Sequence, residues 1–171
     1  GRRDMVTYVD QTAEKRIVSA LSRIIPDSGF IVEENTVEQE EKEFTWIVDP
    51  LDGTTNFIHQ IPVYSVSIAL KHGSDLVLGV VYEVNNDECF YSYEGAGTAF
   101  LNDKPVQASQ TSSLEHALVA TGFPYSTLED LDRYMELFST FVENTHGVRR
   151  LGSAAVDLAY VACGRFDGFY E

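Results

Sequence analysis

Trp46-Ile47-Val48-Asp49-Pro50-Leu51-Asp52-Gly53-Thr54-Thr55-Asn56-Phe57 is the stretch on which the reading of this chain turns. An apolar run of strand type ends in two carboxylates, and a Gly-Thr-Thr-Asn turn suited to opening a helix follows at once. Carboxylates at a strand end can hold hard cations, and the first N–H groups of a helix can take phosphate oxygens. Asp49 and Asp52 are therefore candidate cation ligands, Pro50 stiffens the turn between them, and Gly53, Thr54 and Thr55 are candidate anion-binding positions. Taken alone, Asp-x-x-Asp-Gly also reads as a strand that merely ends in a turn, with Asp and Gly there for local hydrogen bonds.

Composition sets outer bounds. A chain of 171 residues, 44% of them hydrophobic, can bury one sizeable core and suits one domain or part of one. Its formal net charge of −15 opposes nucleic acid and anionic membranes as partners, so an anionic substrate would have to be drawn in by bound cations. Cys89 and Cys163 form no Cys-x-x-Cys pair and suit free thiols in a reducing compartment, which points to the cytoplasm. No apolar stretch is long enough to span a bilayer, and Gly1-Arg2-Arg3-Asp4 lacks the apolar core of a signal peptide. An opening on Gly1 suggests a fragment. His59, His72, His116 and His146 show no ligand spacing, so hard oxygen ligands, and with them magnesium rather than zinc, are favoured.

Outward from the central stretch, Val6, Val9, Ala13, Ile17, Leu21 and Ile24 recur at helical spacing and predict an amphipathic helix with Asp10 on the edge of its buried face. Phe30-Ile31-Val32 predicts a short strand ending in Glu33-Glu34, and the charged run 38–43 predicts a solvated loop. Strands over Val63 to Leu70, Leu76 to Glu83, Glu88 to Tyr93 and Ala99 to Leu101, with turns between, predict an antiparallel meander. The pattern then changes to alternation. Strand 118–121 is followed by a helix from about Leu128 to Asn144 with Leu131, Met135, Phe138 and Val142 inward. Strand 148–151 leads through Gly152-Ser153-Ala154 to a small-residue helix ending at Gly164, with Ala155, Leu158 and Val161 buried.

Together with Asp4-Met5-Val6-Thr7 and Asp10, the run Phe30 to Asn35, Gly95-Ala96-Gly97, Thr121-Gly122-Phe123-Pro124, Gly152-Ser153-Ala154-Ala155 and Gly164 to Glu171, the central stretch resembles the inositol monophosphatase family of lithium-sensitive, magnesium-dependent phosphatases. The resemblance covers essentially the whole chain. It implies an α/β fold of alternating helix and sheet layers, an antiparallel meander followed by a βαβ-type segment, here a partial domain over 1–171. It departs at Val32, where members usually have Gly, and family members extend further on both sides.

The resemblance implies hydrolysis of a small phosphorylated polyol, inositol monophosphate first, by a metal-activated water. One Mg2+ would be held by Glu33, Asp49 and the backbone carbonyl of Leu51, a second by Asp49 and Asp52. Thr54, oriented by Asp10, would relay the proton of the water, and N–H groups near Gly53 would stabilise phosphoryl charge. Ser153, the N–H of Ala154 and Glu171 would contact substrate hydroxyls, and a homodimer is implied. A Trp-Asp pair that follows this glutamate in the family carries a further ligand for the second metal; without it, strand 148–151 would expose an edge. Histidinol-phosphate and bisphosphate-nucleotide phosphatases share much of the pattern. An aspartyl-phosphate enzyme is disfavoured because the two aspartates are separated by two residues rather than one. A noncatalytic module that binds a phosphorylated ligand or a protein is the reading from another class.

Overall fold

The computed structural model describes residues 8–123 and 130–171. Asp4 to Thr7, Pro124 and Leu128, to which the sequence assigns roles, lie outside them. Helix α1 spans Tyr8–Ile24, β1 Gly29–Val32 and β2 Phe44–Asp52. β1 and β2 are parallel, with Val32 opposite Val48. Five more strands follow antiparallel in chain order: β3 Ser65–His72, β4 Asp75–Glu83, β5 Glu88–Tyr93, β6 Ala99–Leu101 and β7 Lys104–Val106. Helix α2, Thr54–Ile58, sits between β2 and β3.

A second sheet carries the alternating part. β8 Leu118–Thr121, β9 Gly147–Arg149 and β10 Gly168–Tyr170 are all parallel, in the order β10-β8-β9, with α3 Leu131–Asn144 and α4 Ala154–Ala162 as the crossovers. The mixed α/β architecture, meander first and βαβ units second, is as the sequence implies. β9 lies at an edge of its sheet.

Several local readings are corrected. In α1 the inward face is Asp10, Glu14, Val18 and Leu21, whereas Val9 and Ile24 are exposed. The apolar stripe serves only the second half of the helix, where Val18 and Leu21 pack on Phe30, Val32, Trp46, Val48 and Leu70. In the first half two carboxylates take the inward positions. In α3 the buried residue is Tyr134, and Leu131, Met135 and Val142 are exposed. Aromatic stacking decides that face: Tyr134 and Phe141 lie 5.5 and 5.0 Å from the ring of Tyr170, and the Tyr134 hydroxyl donates to the Gly122 carbonyl at 2.8 Å. In α4 Val156, Asp157 and Ala159 are buried and Leu158 is 56% exposed.

Two strands differ from their predicted bounds. The turn that Asn102-Asp103-Lys104-Pro105 suggests is shorter than those four residues: Asn102 and Asp103, at φ 46° and 64°, make the hairpin, and Lys104–Val106 is β7. β9 stops at Arg149 because the Leu151 carbonyl leaves the sheet to accept from Asn56 Nδ2 at 2.8 Å. The run 38–43 has exposed side chains as expected, yet its backbone is tied to β1 through reciprocal Phe30–Glu40 bonds of 2.9 and 3.1 Å.

Candidate active site

Parallel pairing of β1 with β2 is what gathers the acidic residues. Since Val32 faces Val48, Glu33, the residue just past β1, is brought beside Asp49, which is still paired with Ser67 of β3. Asp49 Oδ1 accepts from the Leu51 N–H at 3.0 Å, folding the backbone over the carboxylate. The β2 to β3 pairing slips between Asp49 and Asp52, an irregularity that lets both aspartates reach the same end of the sheet.

The electrostatics of this end are one-sided. Burial pushes the Asp49 carboxyl up to about 8, Glu33 beside it adds to the rise by charge and hydrogen bonding, and Asp52 adds more. Of the described groups acting on Asp49, only the Leu51 N–H favours its charged form. Glu34 is raised by burial first and then by Asp10, Glu33 and Glu14. Asp10 is 1% exposed on α1 and so belongs to the same acidic surround.

Two strand-to-helix turns meet here. Gly53 has φ +96°, and a Cβ on it would lie 3.1 Å from the Val63 carbonyl and 3.3 Å from that of Gly152. Gly152 has φ +95°, and a Cβ there would lie 2.9 Å from Asn56 Nδ2. Only glycine permits both the conformation and the approach. Buried Asn56 clamps the pair, donating through Nδ2 to Val63 and Leu151 carbonyls at 2.7 and 2.8 Å.

The second turn holds the acid of the first. Ser153 Oγ donates to Asp52 Oδ2 at 2.6 Å, and the Ala155 N–H donates to the same oxygen at 2.7 Å. Ser153 is fully buried and also caps α4, so its hydroxyl is already engaged, while the neighbouring Ala154 is half-buried. Thr54 Oγ1 donates to the Leu51 carbonyl at 3.0 Å, and Thr55 is exposed. Glu171, at the end of β10, lies over Gly122 and reaches this region through Asp157, whose carboxyl is raised to about 7 by burial, by Asp52 and more weakly by Glu171, against Arg150.

Among the described residues no three Asp, Glu, His or Cys side chains form a ready-made metal cage. What the structure brings together is Glu33 against Asp49 with Asp52 close by, and hard carboxylate oxygens of this kind suit a cation such as Mg2+ that keeps several waters. The adverse charge on Asp49, uncompensated by any described base, is what such a cation would relieve.

Glu14, Asn56, Ser65 and Asp157 carry no role in the sequence reading and prove central. Glu14 had a legible signal, one helical turn after Asp10. Asn56 stood inside the central stretch, and Asp157 followed the Gly-Ser-Ala turn by four positions from Ser153. Nothing local marked Ser65, whose hydroxyl lies 3.3 Å from that of Ser153 in the interior.

A mixed sheet and a small parallel sheet, joined where two strand-to-helix turns surround acidic strand ends, define a layered α/β protein. The chain belongs to the inositol monophosphatase family, whose sequence profile matches residues 1–171. It is 43% identical over 174 residues to the Nus factor SuhB of Pseudomonas aeruginosa, covering 99% of this chain and 64% of that protein. It is 43% identical over 172 residues to the inositol-1-monophosphatase of Mesorhizobium japonicum, covering 100% of this chain and 64% of that one. Among solved structures, the extragenic suppressor protein suhB of Bartonella henselae superposes with a TM-score of 0.93 at 43% identity, over 100% of this chain and 66% of that chain. The chain thus spans 64% of the length of these two curated relatives.

Proposed function

We propose that the protein containing this chain is a Mg2+-dependent phosphomonoesterase acting on a small phosphorylated polyol, with inositol monophosphate the first candidate. The observation that carries the proposal is the pair Glu33 and Asp49, set side by side by the parallel register of β1 and β2, where burial and the neighbouring acids Glu33 and Asp52 push Asp49 up to about 8. When bound, Mg2+ would supply positive charge and Lewis acidity at Glu33, Asp49 and the Leu51 carbonyl, with Asp49 and Asp52 serving a second ion. Thr54 would accept the proton of a water and pass its own to Asp10, its hydroxyl turning away from the Leu51 carbonyl, to which it donates at 3.0 Å. N–H groups at Gly53, Thr54 and Thr55 would face the phosphoryl oxygens. Ala154 and Glu171 would contact hydroxyls of the leaving group, and Ser153 acts by holding Asp52.

A noncatalytic role is the second reading, since one relative is named a Nus factor. The gathering of Glu33, Asp49 and Asp52 favours catalysis. The decisive experiment is a panel of phosphomonoesters hydrolysed by the purified full-length protein with and without Mg2+. Cleavage of inositol 1-phosphate that requires Mg2+ is expected, with nucleoside bisphosphates poor; a preference for histidinol phosphate or a nucleotide would move the substrate class, and no turnover of any member would sink the reading.

A further inference from the structure

The acidic surround contains a carboxylate that the reaction as proposed does not use. Glu14 is the most completely buried charged side chain of α1, at 0% exposure, and both of its oxygens are engaged. Oε2 accepts from the Glu34 N–H at 2.7 Å, and Oε1 accepts from the Thr36 N–H at 2.8 Å and from the Thr36 hydroxyl at 2.6 Å. All three donors belong to the loop that begins with Glu33.

That loop needs an external hold. After Val32 the chain leaves the sheet and reverses at Asn35, which takes φ +53°, so the N–H groups of Glu34 and Thr36 turn inward, away from any strand partner. Left unpaired at this depth they would be strongly unfavourable. Local bonds, Asn35 Nδ2 to the Glu33 carbonyl at 3.0 Å and Gln39 Nε2 to the Val32 carbonyl at 2.9 Å, secure carbonyls but neither N–H. Among the described residues Glu14 is the side chain that ties these N–H groups to α1, and the same helix is seated in the core by Val18 and Leu21, one and two turns further on.

The choice of a carboxylate is informative. Three donors converge on Glu14, and a carboxyl group, unlike an amide, offers an acceptor at each of its two oxygens, so one side chain can hold both N–H groups. We propose that Glu14 is a positioning residue for the cation site: by fixing the backbone of 34–36 to α1, it sets the direction in which Glu33 leaves β1 and keeps its carboxylate beside Asp49. This inference rests on the proposed cation site.

The test is Mn2+ binding to the full-length protein, followed by electron paramagnetic resonance without substrate, beside amide hydrogen exchange at Glu34 and Thr36 in the metal-free protein. In Glu14→Gln one acceptor becomes a donor, so whichever way the amide is turned, one inward N–H loses its partner. Mn2+ affinity is expected to fall about tenfold, the lower end of what outer-shell changes cost a metal site, with faster exchange at one or both amides. Thr36→Val, which removes only the hydroxyl bond, is expected to weaken Mn2+ about threefold and keeps the test open if the glutamine variant does not fold. Faster exchange with Mn2+ affinity unchanged would reduce Glu14 to a loop anchor and overturn the inference, as would weaker Mn2+ binding with exchange unchanged. Glu33→Gln separates the two levels of argument. Wild type and Glu33→Gln binding Mn2+ alike would break the cation-site reading itself, whereas a Glu33→Gln defect that neither other variant shares would break only the role given to Glu14.

Discussion

The passage from β2 into α2 and the passage from β9 into α4 each run through a glycine of almost the same φ and are opposites in chemistry. Each leaves a strand end through a glycine, Gly53 at φ +96° and Gly152 at +95°, and enters a helix. The first turn carries Asp52 and caps its helix with that glycine, without a side-chain bond. The second has Ser153 as cap and presents a hydroxyl and the Ala155 N–H to the Asp52 carboxylate of the first. One geometry thus provides the acid in one sheet and the donors that orient it in the other. A strand-to-helix turn directs groups to a point, and the side chains before and after the glycine decide what is directed.

The comparison breaks most visibly at its acidic end. Asp49→Asn is expected to lower Mg2+-dependent phosphatase activity by more than about a hundredfold, since it removes charge from the position shared by both proposed ions. Glu34→Gln should do far less. Steady-state kinetics on both variants checks this, and a greater loss in the Glu34 variant would show that the wrong glutamate has been chosen as ligand.

The two glycines come next. Gly53→Ala meets the carbonyls of Val63 and Gly152, which are backbone and cannot move aside, whereas Gly152→Ala meets the side-chain ends of Arg150 and Asn56. Both force a non-glycine residue to positive φ, at about 1–3 kcal/mol, and Gly53→Ala should be the more destabilising. Chemical denaturation of the pair would reverse the assignment of the stiffer turn if Gly152→Ala proved worse.

Ser153→Ala removes both the α4 cap and a donor to Asp52, with an expected cost of about 1 kcal/mol. If the second turn serves the first, kcat should also fall while thermal unfolding shifts only a few degrees. An unchanged kcat would make Ser153 a helix cap and nothing more.

The smallest effect concerns Asp157, behind Asp52. Its carboxyl is raised from the ordinary 3.8 to about 7, chiefly by burial and then by Asp52. Below pH 4 it is protonated in both folded and unfolded chains and imposes no penalty. Between pH 4 and 7 the folded chain retains a proton the unfolded chain releases, so stability declines as pH rises through the folded value. Asp157→Asn, measured metal-free, should match wild type near pH 4 in this respect and gain on it by pH 8. A stability difference that does not change with pH would show that Asp157 is not held protonated.

Much of this was legible along the chain. Alternation marked the meander strands, a change of pattern marked the passage to βαβ units, and Asp49, Asp52 and Gly53 stood together in one stretch. The errors share a cause. Apolar periodicity predicts one inward face for each of α1, α3 and α4, and each is rotated by a polar or aromatic demand from elsewhere: the loop at Glu34 and Thr36, the ring of Tyr170, and the carboxylate of Asp52.

By itself the sequence determined the order of elements, the place of the acidic strand ends and the family, because those follow from local spacing and from a contiguous motif. Only the tertiary structure decided what holds that motif. Glu14 reaches residues 20 and 22 positions away, Asn56 reaches 95 positions, and Asp52 is held from 101 and 103 positions away. No local pattern records such partners, because a buried hydrogen bond is satisfied by whichever donor the packing of the two sheets brings within reach.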